Sequence, residues 1–308
     1  MSKIEATVVA DSINPQKDRL TSVLVTMPRI ILSEMNTHRM LSKNTSSSRA
    51  IPFHKMVEAV LENPFIPIAW QKHHSGMQGN KYHTGEGNVG DINYKARAER
   101  NWLKARDFAV QQAKHLYEDS LVTKQLCNRL LEPFMWTTML ITGSKEGWDN
   151  FFNLRCPQYE LGIKNENFYF KSKKEYQQVL VDKGFSYQIP EENWKILNKG
   201  QAEIHMMALA EEIYDAVNES TPKQLSPNEW HIPFSNKIPF VGNLIASVDK
   251  DNTYWRDYDE QNKVKISVAL AARTSYTVVG EEKEINFQKM IDLHDRLISQ
   301  DPPHSSPL

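Results

Sequence analysis

The chain has little of what marks a secreted, membrane-spanning or polyanion-binding protein. It has two cysteines in 308 residues, which excludes a disulfide framework and favours a reducing compartment. No apolar run approaches the roughly 20 residues that a membrane-spanning helix needs. The first residues lack the cationic segment and apolar core of a signal peptide, and the net charge of −1 gives no overall basic field for nucleic acid. We therefore expect a soluble, cytoplasmic protein without a membrane or nucleic-acid partner.

What is present is a globular composition, 40% hydrophobic and 24% charged, with mixed secondary-structure signals. β-Branched and alternating residues predict strands over residues 4–9 and 20–34. Apolar residues near helical spacing predict helices over residues 54–63, 93–118, 123–131, 134–155 (a pair interrupted at 143–144), 201–217, the segment ISVALAARTSY and 285–299. Residues 156–199 are charged and aromatic, which suggests an insertion with a hairpin and loops. Residues 71–92 and 227–262 are predicted to be mostly loops.

The most informative stretch is residues 37–49, directly after the second predicted strand. It holds two arginines, a histidine, an asparagine and a run of hydroxyl side chains, with no carboxylate among them. Such a cluster supplies many hydrogen-bond donors and almost no negative charge. This chemistry suits a polar, planar ligand that carries phosphate.

These residues resemble the signature R-H-R-x-x-S-x-N-E-x-S-x-R-Y of the flavin-dependent thymidylate synthases. The matching positions are His38, Arg39, Ser42, Asn44, Ser47 and Arg49. Three further segments resemble the family in the same order along the chain. Residues 129–133 are similar to R-x-x-L-P, residues 144–155 to N-A-R-S-x-x-N-F-x-N-L-R, and residues 201–204 to A-Q-x-E-I. Several ordered matches are more specific than one short motif.

Two other family elements occur out of order. The A-A-R-x-S-Y and H-x-S-P elements, which the family places before the R-H-R segment, resemble residues 271–276 and 304–307 at the other end of this chain. We infer a circular permutation, which is tolerated where termini lie close together on the surface. The resemblance implies one catalytic domain over residues 1–308, with an insertion at 156–199 and the family's N-terminal portion at about 263–308. It also implies an α/β (α+β) fold with a central antiparallel or mixed sheet and a helical bundle.

The activity implied by the resemblance is reductive methylation of deoxyuridine monophosphate (dUMP) at C5, which yields dTMP. In the family, methylenetetrahydrofolate gives the carbon, FAD carries the hydride, and NADPH replenishes it. Members of the family are homotetramers whose active sites are shared between subunits, and the resemblance implies the same assembly for this chain. No cysteine nucleophile is required, in agreement with the absence of a cysteine-centred motif here.

The resemblance also implies roles for individual residues. Arg155 would be the catalytic arginine that binds the uracil ring and stabilises its N3-deprotonated form. The other implied dUMP contacts are Glu34, Ser47, Arg49 and Arg129, and Ser47 is a binder because no base lies near it in the sequence. The implied FAD contacts are His38, Arg39, Asn44, Asn150, His304 and Ser306. No metal site is predicted, since His73, His74 and His83 lie in a glycine-rich stretch without cysteines or paired carboxylates.

The departures from the family keep other interpretations open. Thr37 and Thr45 each remove a charge of the family signature, Glu146 reverses one, and Ser144 replaces an asparagine, whereas the nucleotide-side residues are retained. One alternative is therefore a pyrimidine nucleotide hydroxymethylase that omits the reductive step. Another is a catalytically silent protein that binds a nucleotide or RNA. For a single arginine or asparagine, a surface ion pair or a helix cap is the simpler interpretation.

Overall fold

A computed structural model of the chain describes residues 3–76, 79, 81–83, 93–163, 166–235, 240–241, 244–249, 252–257, 260–276, 279 and 285–301. The strands are β1 (Glu5–Ile13), β2 (Arg19–Pro28), β3 (Ser42–Thr45), β4 (Trp136–Ser144), β5 (Tyr159–Ile163), β6 (Glu166–Phe170), β7 (Lys223–Gln224), β8 (Phe240–Val241), β9 (Leu244–Asp249) and β10 (Asn252–Asp257). The helices are α1 (Leu32–Asn36), α2 (Phe53–Glu62), α3 (Tyr94–Glu118), α4 (Lys124–Cys127), α5 (Lys145–Arg155), α6 (Lys173–Asp182), α7 (Glu191–Leu197), α8 (Ile204–Glu219), α9 (Glu260–Arg273) and α10 (Phe287–Ile298). Short 3-10 helices cover Arg29–Ile31, Asn128–Phe134 and Thr274–Tyr276.

The main sheet has five strands in the order β3-β4-β2-β1-β7. β1, β2, β3 and β4 pair antiparallel, and β7 joins β1 in parallel, so the sheet is mixed. The pairing of β2 with β4 runs along the whole of both strands, from Leu20 opposite Ser144 to Pro28 opposite Trp136. The predicted α/β class with a central mixed sheet is confirmed.

Alternate residues of the central strands face two different layers. On one face, side chains of β2 and β4 pack against α5 and α8 in a core formed by Val23, Val25, Met27, Met139, Ile141, Trp148, Phe151, Met206, Leu209 and Ile213, among others. On the other face, Leu24 and Leu140 pack with residues of β1, α9 and the preceding loop, namely Val9, Phe234, Leu270 and Ala271. Truncating a fully buried Leu or Ile to Ala in such a core costs about 2–5 kcal/mol. Helix α9 is thereby fixed to this second face of the sheet.

Two of the smaller cores among the described residues join helices to neighbouring segments. One joins α2, α3 and the Asn128–Phe134 segment through Ile51, Phe53, Met56, Val60, Val110, Ala113, Leu131 and Phe134. The other joins α9 and α10 through Ile266, Ala269, Phe287, Met290, Ile291 and Leu293. Within the described ranges no helix is long and apolar enough to cross a membrane.

Two sequence predictions about the central elements were wrong. The second strand ends at Pro28, and residues 29–36 form a 3-10 turn and α1 instead of continuing the strand. Residues 136–144 form the central strand β4, although we predicted a helix there. A short apolar run does not distinguish a buried strand from a buried helix by periodicity, and the β-branched residues of WTTMLITGS favour the strand.

Other differences lie in the peripheral segments. The predicted hairpin of the 156–199 insertion is present as β5 and β6, but α6 and α7 occupy most of the remainder. Residues 227–262, predicted to be loops, contain the antiparallel strands β8, β9 and β10. Residues 37–49 are partly a strand, because β3 pairs with the edge of β4. Most of the glycine-rich stretch at 71–92 lies outside the described residues.

Candidate functional site

The first feature of the site is that Arg155 is held by the segment that follows the second strand. Arg155 lies in the last turn of α5. Its Nη1 donates to a carboxylate oxygen of Glu34 on α1, and its Nε donates to Nε2 of His38 at 2.9 Å. The side chains of Arg155 and Glu34 are 23% and 27% exposed, so the pair lies at the edge of the core and still reaches solvent. Residues 117 and 121 positions apart in the sequence thus meet in one cluster.

A close approach of two backbones makes this contact possible. The turn after α1 lies against the start of α5, where a Cβ added to Gly147 would be 3.0 Å from the carbonyl oxygen of Met40. Any larger residue at that position would push the turn away from the helix. The last turn of α1 is fixed by Thr37, whose hydroxyl donates to the Glu34 carbonyl at 2.7 Å.

Local helix chemistry accounts for some of the departures from the family signature. The Ser144 hydroxyl accepts a hydrogen bond from the Gly147 backbone N–H at 3.3 Å and so caps α5. Glu146 lies in the first turn of the same helix, where the positive end of the helix dipole favours a carboxylate. Both residues therefore stabilise the helix that carries Arg155.

His38 is buried and electrically neutral. It is 7% exposed, and its ring meets the edge of Phe151 with centroids 4.9 Å apart. Burial, and then the positive charges of Arg155 and Lys43, lower the pKa of His38 to about 4. Because Nε2 accepts from Arg155, the ring proton lies on Nδ1. Lys43 on β3 donates to the His38 carbonyl oxygen and fixes the same turn from the other side.

The second feature is the loop over residues 46–51, which is fastened to the Asn128–Phe134 segment. Asn128 is fully buried, and its Nδ2 donates to the carbonyl oxygens of Ser48 at 2.7 Å and Ile51 at 3.0 Å. The Ser48 hydroxyl donates to Glu132 at 2.6 Å. The loop therefore has a defined conformation next to the segment that carries the predicted phosphate ligand Arg129.

Both predicted phosphate ligands, Arg49 and Arg129, are exposed. Neither forms an ion pair or hydrogen bond with another described residue. A third arginine, Arg29, is largely buried and donates to the Ser46 carbonyl at 2.7 Å and to Glu132. Burial lowers the pKa of Arg29, and the nearby charge of Arg129 lowers it further, which places the two cations in the same region. The structure thus combines one paired arginine with two whose donors face solvent.

The third feature is a contact between the middle of the signature and the end of α9. Asn44 Nδ2 donates to the Ala271 carbonyl at 2.6 Å, and the Ser275 hydroxyl donates to Asn44 Oδ1 at 3.0 Å. The Ser47 backbone N–H donates to the Ser275 carbonyl at 2.7 Å. The A-A-R-T-S-Y segment at 271–276 therefore lies against β3 and the loop that follows it.

The predicted FAD contacts that lie among the described residues form two pairs, which differ in whether their side chains are hydrogen-bonded within the chain. The side chains of His38 and Asn44 are already hydrogen-bonded within the chain. Arg39 and Asn150 are exposed and form no hydrogen bond with the described residues. His304 and Ser306 lie outside those residues. The described residues of a single chain accordingly do not assemble a flavin cradle.

Sequence reasoning missed three residues that shape the site: Lys43, Asn128 and Glu132. Lys43 occupies an unspecified position within the first matched segment, Glu132 stands where R-x-x-L-P has leucine, and Asn128 directly precedes Arg129. Their sequence signal was their position next to motif residues. The match at 201–204 has a structural role, because Glu203 caps α8 and contacts His205.

The two thiols are not suited to nucleophilic attack. Burial raises the pKa of the Cys156 thiol well above its usual range, and burial also raises the pKa of Cys127. Both side chains are buried and hence predominantly protonated. Among the described residues, no three His, Cys, Asp or Glu side chains converge as metal ligands would.

No protein-family model and no curated protein matches the chain. Among solved structures, the chain is similar to a UMP/dUMP methylase, PolB, from Streptomyces cacaoi bound with 5-Br UMP, at 13% identity over 71% of this chain and 90% of that chain, with a TM-score of 0.41. The same methylase bound with 5-Br dUMP gives 14% identity over 70% and 96% of the two chains and a TM-score of 0.39. Thymidylate synthase X from Helicobacter pylori with FAD and dUMP gives 15% identity over 58% and 71%, with a TM-score of 0.28. At these identities and TM-scores, the likeness is a partial one of architecture.

Proposed function

We propose that the protein is an enzyme that modifies C5 of a uracil nucleotide. Its specific reaction would be that of a flavin-dependent thymidylate synthase, in which dUMP is methylated to dTMP with methylenetetrahydrofolate and NADPH as co-substrates. One observation carries the proposal. Segments that resemble separate parts of one family signature meet at a single arginine, Arg155, which Glu34 and His38 hold in place.

The chain's own residues would bind and orient the nucleotide. Arg155 offers its remaining N–H groups to the polar edge of the ring, where a guanidinium is always charged and donates in a fixed plane. Arg49 and Arg129, exposed on two fastened segments, suit the phosphate, which guanidinium groups bind with paired hydrogen bonds. The Ser47 hydroxyl would add a donor beside them. FAD, when bound, would supply the hydride.

The circular permutation and the shared site belong to the same proposal. The contact of residues 271–275 with Asn44 and Ser47 supports a family-like partner segment that reaches the site from the other end of the chain. Arg39 and Asn150 keep free donors on the surface, as groups that complete a neighbouring subunit's site would. We therefore propose a homotetramer in which the flavin contacts come from more than one chain.

One observation favours a second candidate, a pyrimidine nucleotide hydroxymethylase that needs no flavin. The Asn44 amide, a predicted flavin contact, already donates to the Ala271 carbonyl and accepts from the Ser275 hydroxyl inside the chain. Its position is therefore explained by these internal bonds without a flavin. The nucleotide-side arginines are unaffected by this difference.

Two measurements on the purified protein separate these candidates. A flavin-dependent enzyme is yellow, with flavin absorbance near one equivalent per subunit, whereas a colourless protein that cannot be loaded with FAD contradicts the leading reaction. Tritium release from C5-labelled dUMP, with methylenetetrahydrofolate present, identifies either enzyme and is absent from a silent binder. Product mass then distinguishes a methyl from a hydroxymethyl group.

A further inference from the structure

The segment that follows Arg155 folds back onto the helix that carries it. Arg155 is the last residue of α5, and the predicted insertion begins at the next residue, Cys156. After the β5–β6 hairpin the chain returns to α5, where Lys171 Nζ donates to Oδ1 of Asn153 at 2.7 Å. Asn153 lies in the last turn of α5, two residues before Arg155. The insertion therefore contacts the part of α5 from which the Arg155 side chain extends.

Lys171 is held by two other helices at the same time. Its ammonium lies 5.9 Å from the centroid of the Tyr214 ring on α8, within the range of a cation–π contact. Its backbone N–H donates to Oε2 of Glu175 on α6 at 2.9 Å, and the Tyr214 hydroxyl donates to Oε1 of the same carboxylate at 3.4 Å. Tyr214 in turn meets Phe152 of α5 edge to face, with centroids 5.2 Å apart. The Lys171 side chain thus has a defined position against α5 and α8.

The end of α5 favours a cation at this position. The last carbonyl groups of a helix have no intrahelical partner and carry a partial negative charge, which a nearby cation stabilises. Arg155 is the basic residue in the last turn, but its guanidinium bonds to Glu34 and His38. Lys171 places a second positive charge at this end of the helix. Burial raises the pKa of the Cys156 thiol and the Lys171 charge opposes this rise, which agrees with an ammonium close to the residue after Arg155.

Side-chain packing alone leaves a gap between the hairpin and α5. A cavity of about 220 Å³ lies there, lined on one side by residues 152–153 and 156–158 and on the other by residues 169–171. Protein interiors are otherwise close-packed, and dense packing is what normally fixes the end of a helix. Lys171 bridges the gap with its bond to Asn153. We expect this bridge to limit the movement of the last turn of α5 more than the apolar contacts around it do.

We propose that Lys171 is a positioning residue, which holds the last turn of α5 so that Arg155 keeps the orientation set by Glu34 and His38. The insertion then has a role in the site, since it supplies from outside α5 a contact that the helix lacks. The inference rests on the proposed function for the ligand that Arg155 meets. Its effect on the contact between Arg155 and His38 is expected in the free protein as well.

Histidine NMR titration of the free protein tests the inference without a ligand. Lys171→Met removes the ammonium and keeps a similar length of side chain. Arg155 should then lose its fixed contact, the His38 ring should become more accessible to water, and the pKa of His38 should rise from about 4 toward 6.5. Lys171→Arg keeps a charged donor and should retain the low pKa. Lys174→Met, the matched control, removes a lysine of the same insertion that bonds to Glu219 on α8 at 2.7 Å, and should also leave the pKa of His38 low.

A double-mutant cycle checks the atom to which Lys171 donates. Asn153→Ala should also raise the pKa of His38, and the double variant should raise it by less than the two single changes added together, because the side chains share one hydrogen bond. Additive effects, or an unchanged pKa of His38 in Lys171→Met, would overturn the inference. An equal rise in Lys174→Met would also overturn it, because it would show a general loosening of the insertion. Unfolding midpoints confirm that each variant is folded.

Calorimetric titration relates this effect to the nucleotide. In Lys171→Met the affinity for dUMP should fall about three- to ten-fold, since the ring donor Arg155 is no longer preorganised. The affinity for deoxyribose 5-phosphate, which meets Arg49 and Arg129 but has no base for Arg155, should be unchanged, whereas a general loss of stability would lower both affinities. Lys171→Arg should recover most of the dUMP affinity.

The two titrations separate the inference from the proposed function. An unchanged dUMP affinity together with a raised pKa of His38 would contradict the role of Arg155 in ring binding, and not its positioning by Lys171. If the wild type binds no dUMP, the proposed function is contradicted, while the histidine titration still decides the inference.

Discussion

The two groups of predicted nucleotide ligands differ in how completely the fold has arranged them. Arg155 is half-buried and bonded to Glu34 and His38, so its orientation is set before any ligand arrives. Arg49 and Arg129 are exposed and have no bonded partner in the described part of the chain, although the segments beneath them are fastened by Asn128. Arg155 is therefore preorganised, whereas Arg49 and Arg129 lie on ordered segments but have no fixed side-chain orientation.

This difference suggests a division of work between the two groups. A preorganised donor loses little side-chain entropy on binding and distinguishes ligands by geometry. Exposed arginines pay that entropy when the ligand binds, and their attraction to an anion is screened by salt. We therefore expect specificity for the ring to arise at Arg155, and salt-dependent affinity for the phosphate to arise at Arg49 and Arg129.

The largest expected effect is at Arg155. Arg155→Ala removes the donor aimed at the ring and leaves the Glu34 carboxylate without its counter-ion. We expect turnover, followed by tritium release from C5-labelled dUMP, to fall at least a hundred-fold, which is about the effect of losing a preorganised charged donor.

Arg155→Lys is the matched variant, since it keeps the charge but lacks the planar fork that reaches both Glu34 and His38. It should recover only a small part of the activity. Both variants should assemble like the wild type in size-exclusion chromatography with light scattering. Loss of assembly in Arg155→Ala would show that the arginine stabilises the oligomer instead of binding the ring.

Part of this site was predictable from the sequence, because the residue types in the motifs indicate which ligands they can bind. The donor-rich segment at 37–49 and the N-F-x-N-L-R match predicted both halves of the Arg155 cluster, and both halves do meet. The α/β class was implied by the family resemblance, and the β-branched runs and helical spacing agreed with it. These signals are local in the sequence, and each survives without knowledge of the tertiary contacts.

The other parts of the fold and of the site depend on tertiary contacts, which no local sequence pattern predicts. Strand β4 looks helical by its apolar content, and only its pairing with β2 and β3 makes it central. The Arg155–His38 cluster lies beside a close approach of Gly147 to the Met40 carbonyl. A glycine near the start of a helix does not by itself predict such an approach.

Asn44 was predicted to contact flavin, yet its amide bonds to Ala271 and Ser275 within the chain. Asn128, which no motif includes, bonds to the carbonyls of Ser48 and Ile51. The permutation stays a prediction.

The second-largest effect is expected at the exposed arginines, Arg49 and Arg129. The double change of Arg49 and Arg129 to Ala should weaken binding of dUMP by roughly ten- to a hundred-fold at low salt. It should leave the binding of deoxyuridine, which has no phosphate, unchanged. The difference between mutant and wild type should shrink as salt increases, because both cations are exposed. Equal losses for dUMP and deoxyuridine would contradict a phosphate role.

A smaller effect is expected where the fold supports the exposed arginines. Asn128→Ala leaves the buried carbonyls of Ser48 and Ile51 without donors, which should lower the free energy of unfolding by about 2 kcal/mol. Affinity for dUMP should fall with it, because the loop that carries Arg49 is released. Urea unfolding and calorimetry provide the two measurements. Asn101→Ala, an exposed change on α3, serves as the control. Unchanged dUMP affinity in a destabilised Asn128→Ala would separate loop order from phosphate binding.

The last effect concerns the pH dependence of the preorganised group. The pKa of His38 is about 4 in the folded protein, lowered from 6.5 by burial and by the charges of Arg155 and Lys43. Between these values the unfolded chain binds more protons, so the free energy of unfolding should decrease as pH falls from 6.5 toward 4, by about 2–3 kcal/mol. His38→Gln, whose amide oxygen can still accept from Arg155, should show a shallower decrease in urea unfolding over this range. The exposed His54→Gln should follow the wild type. If the free energy of unfolding of His38→Gln fell with pH as steeply as that of the wild type, the imidazole would not be held neutral against Arg155. Arg155 would then be no more preorganised than the exposed arginines.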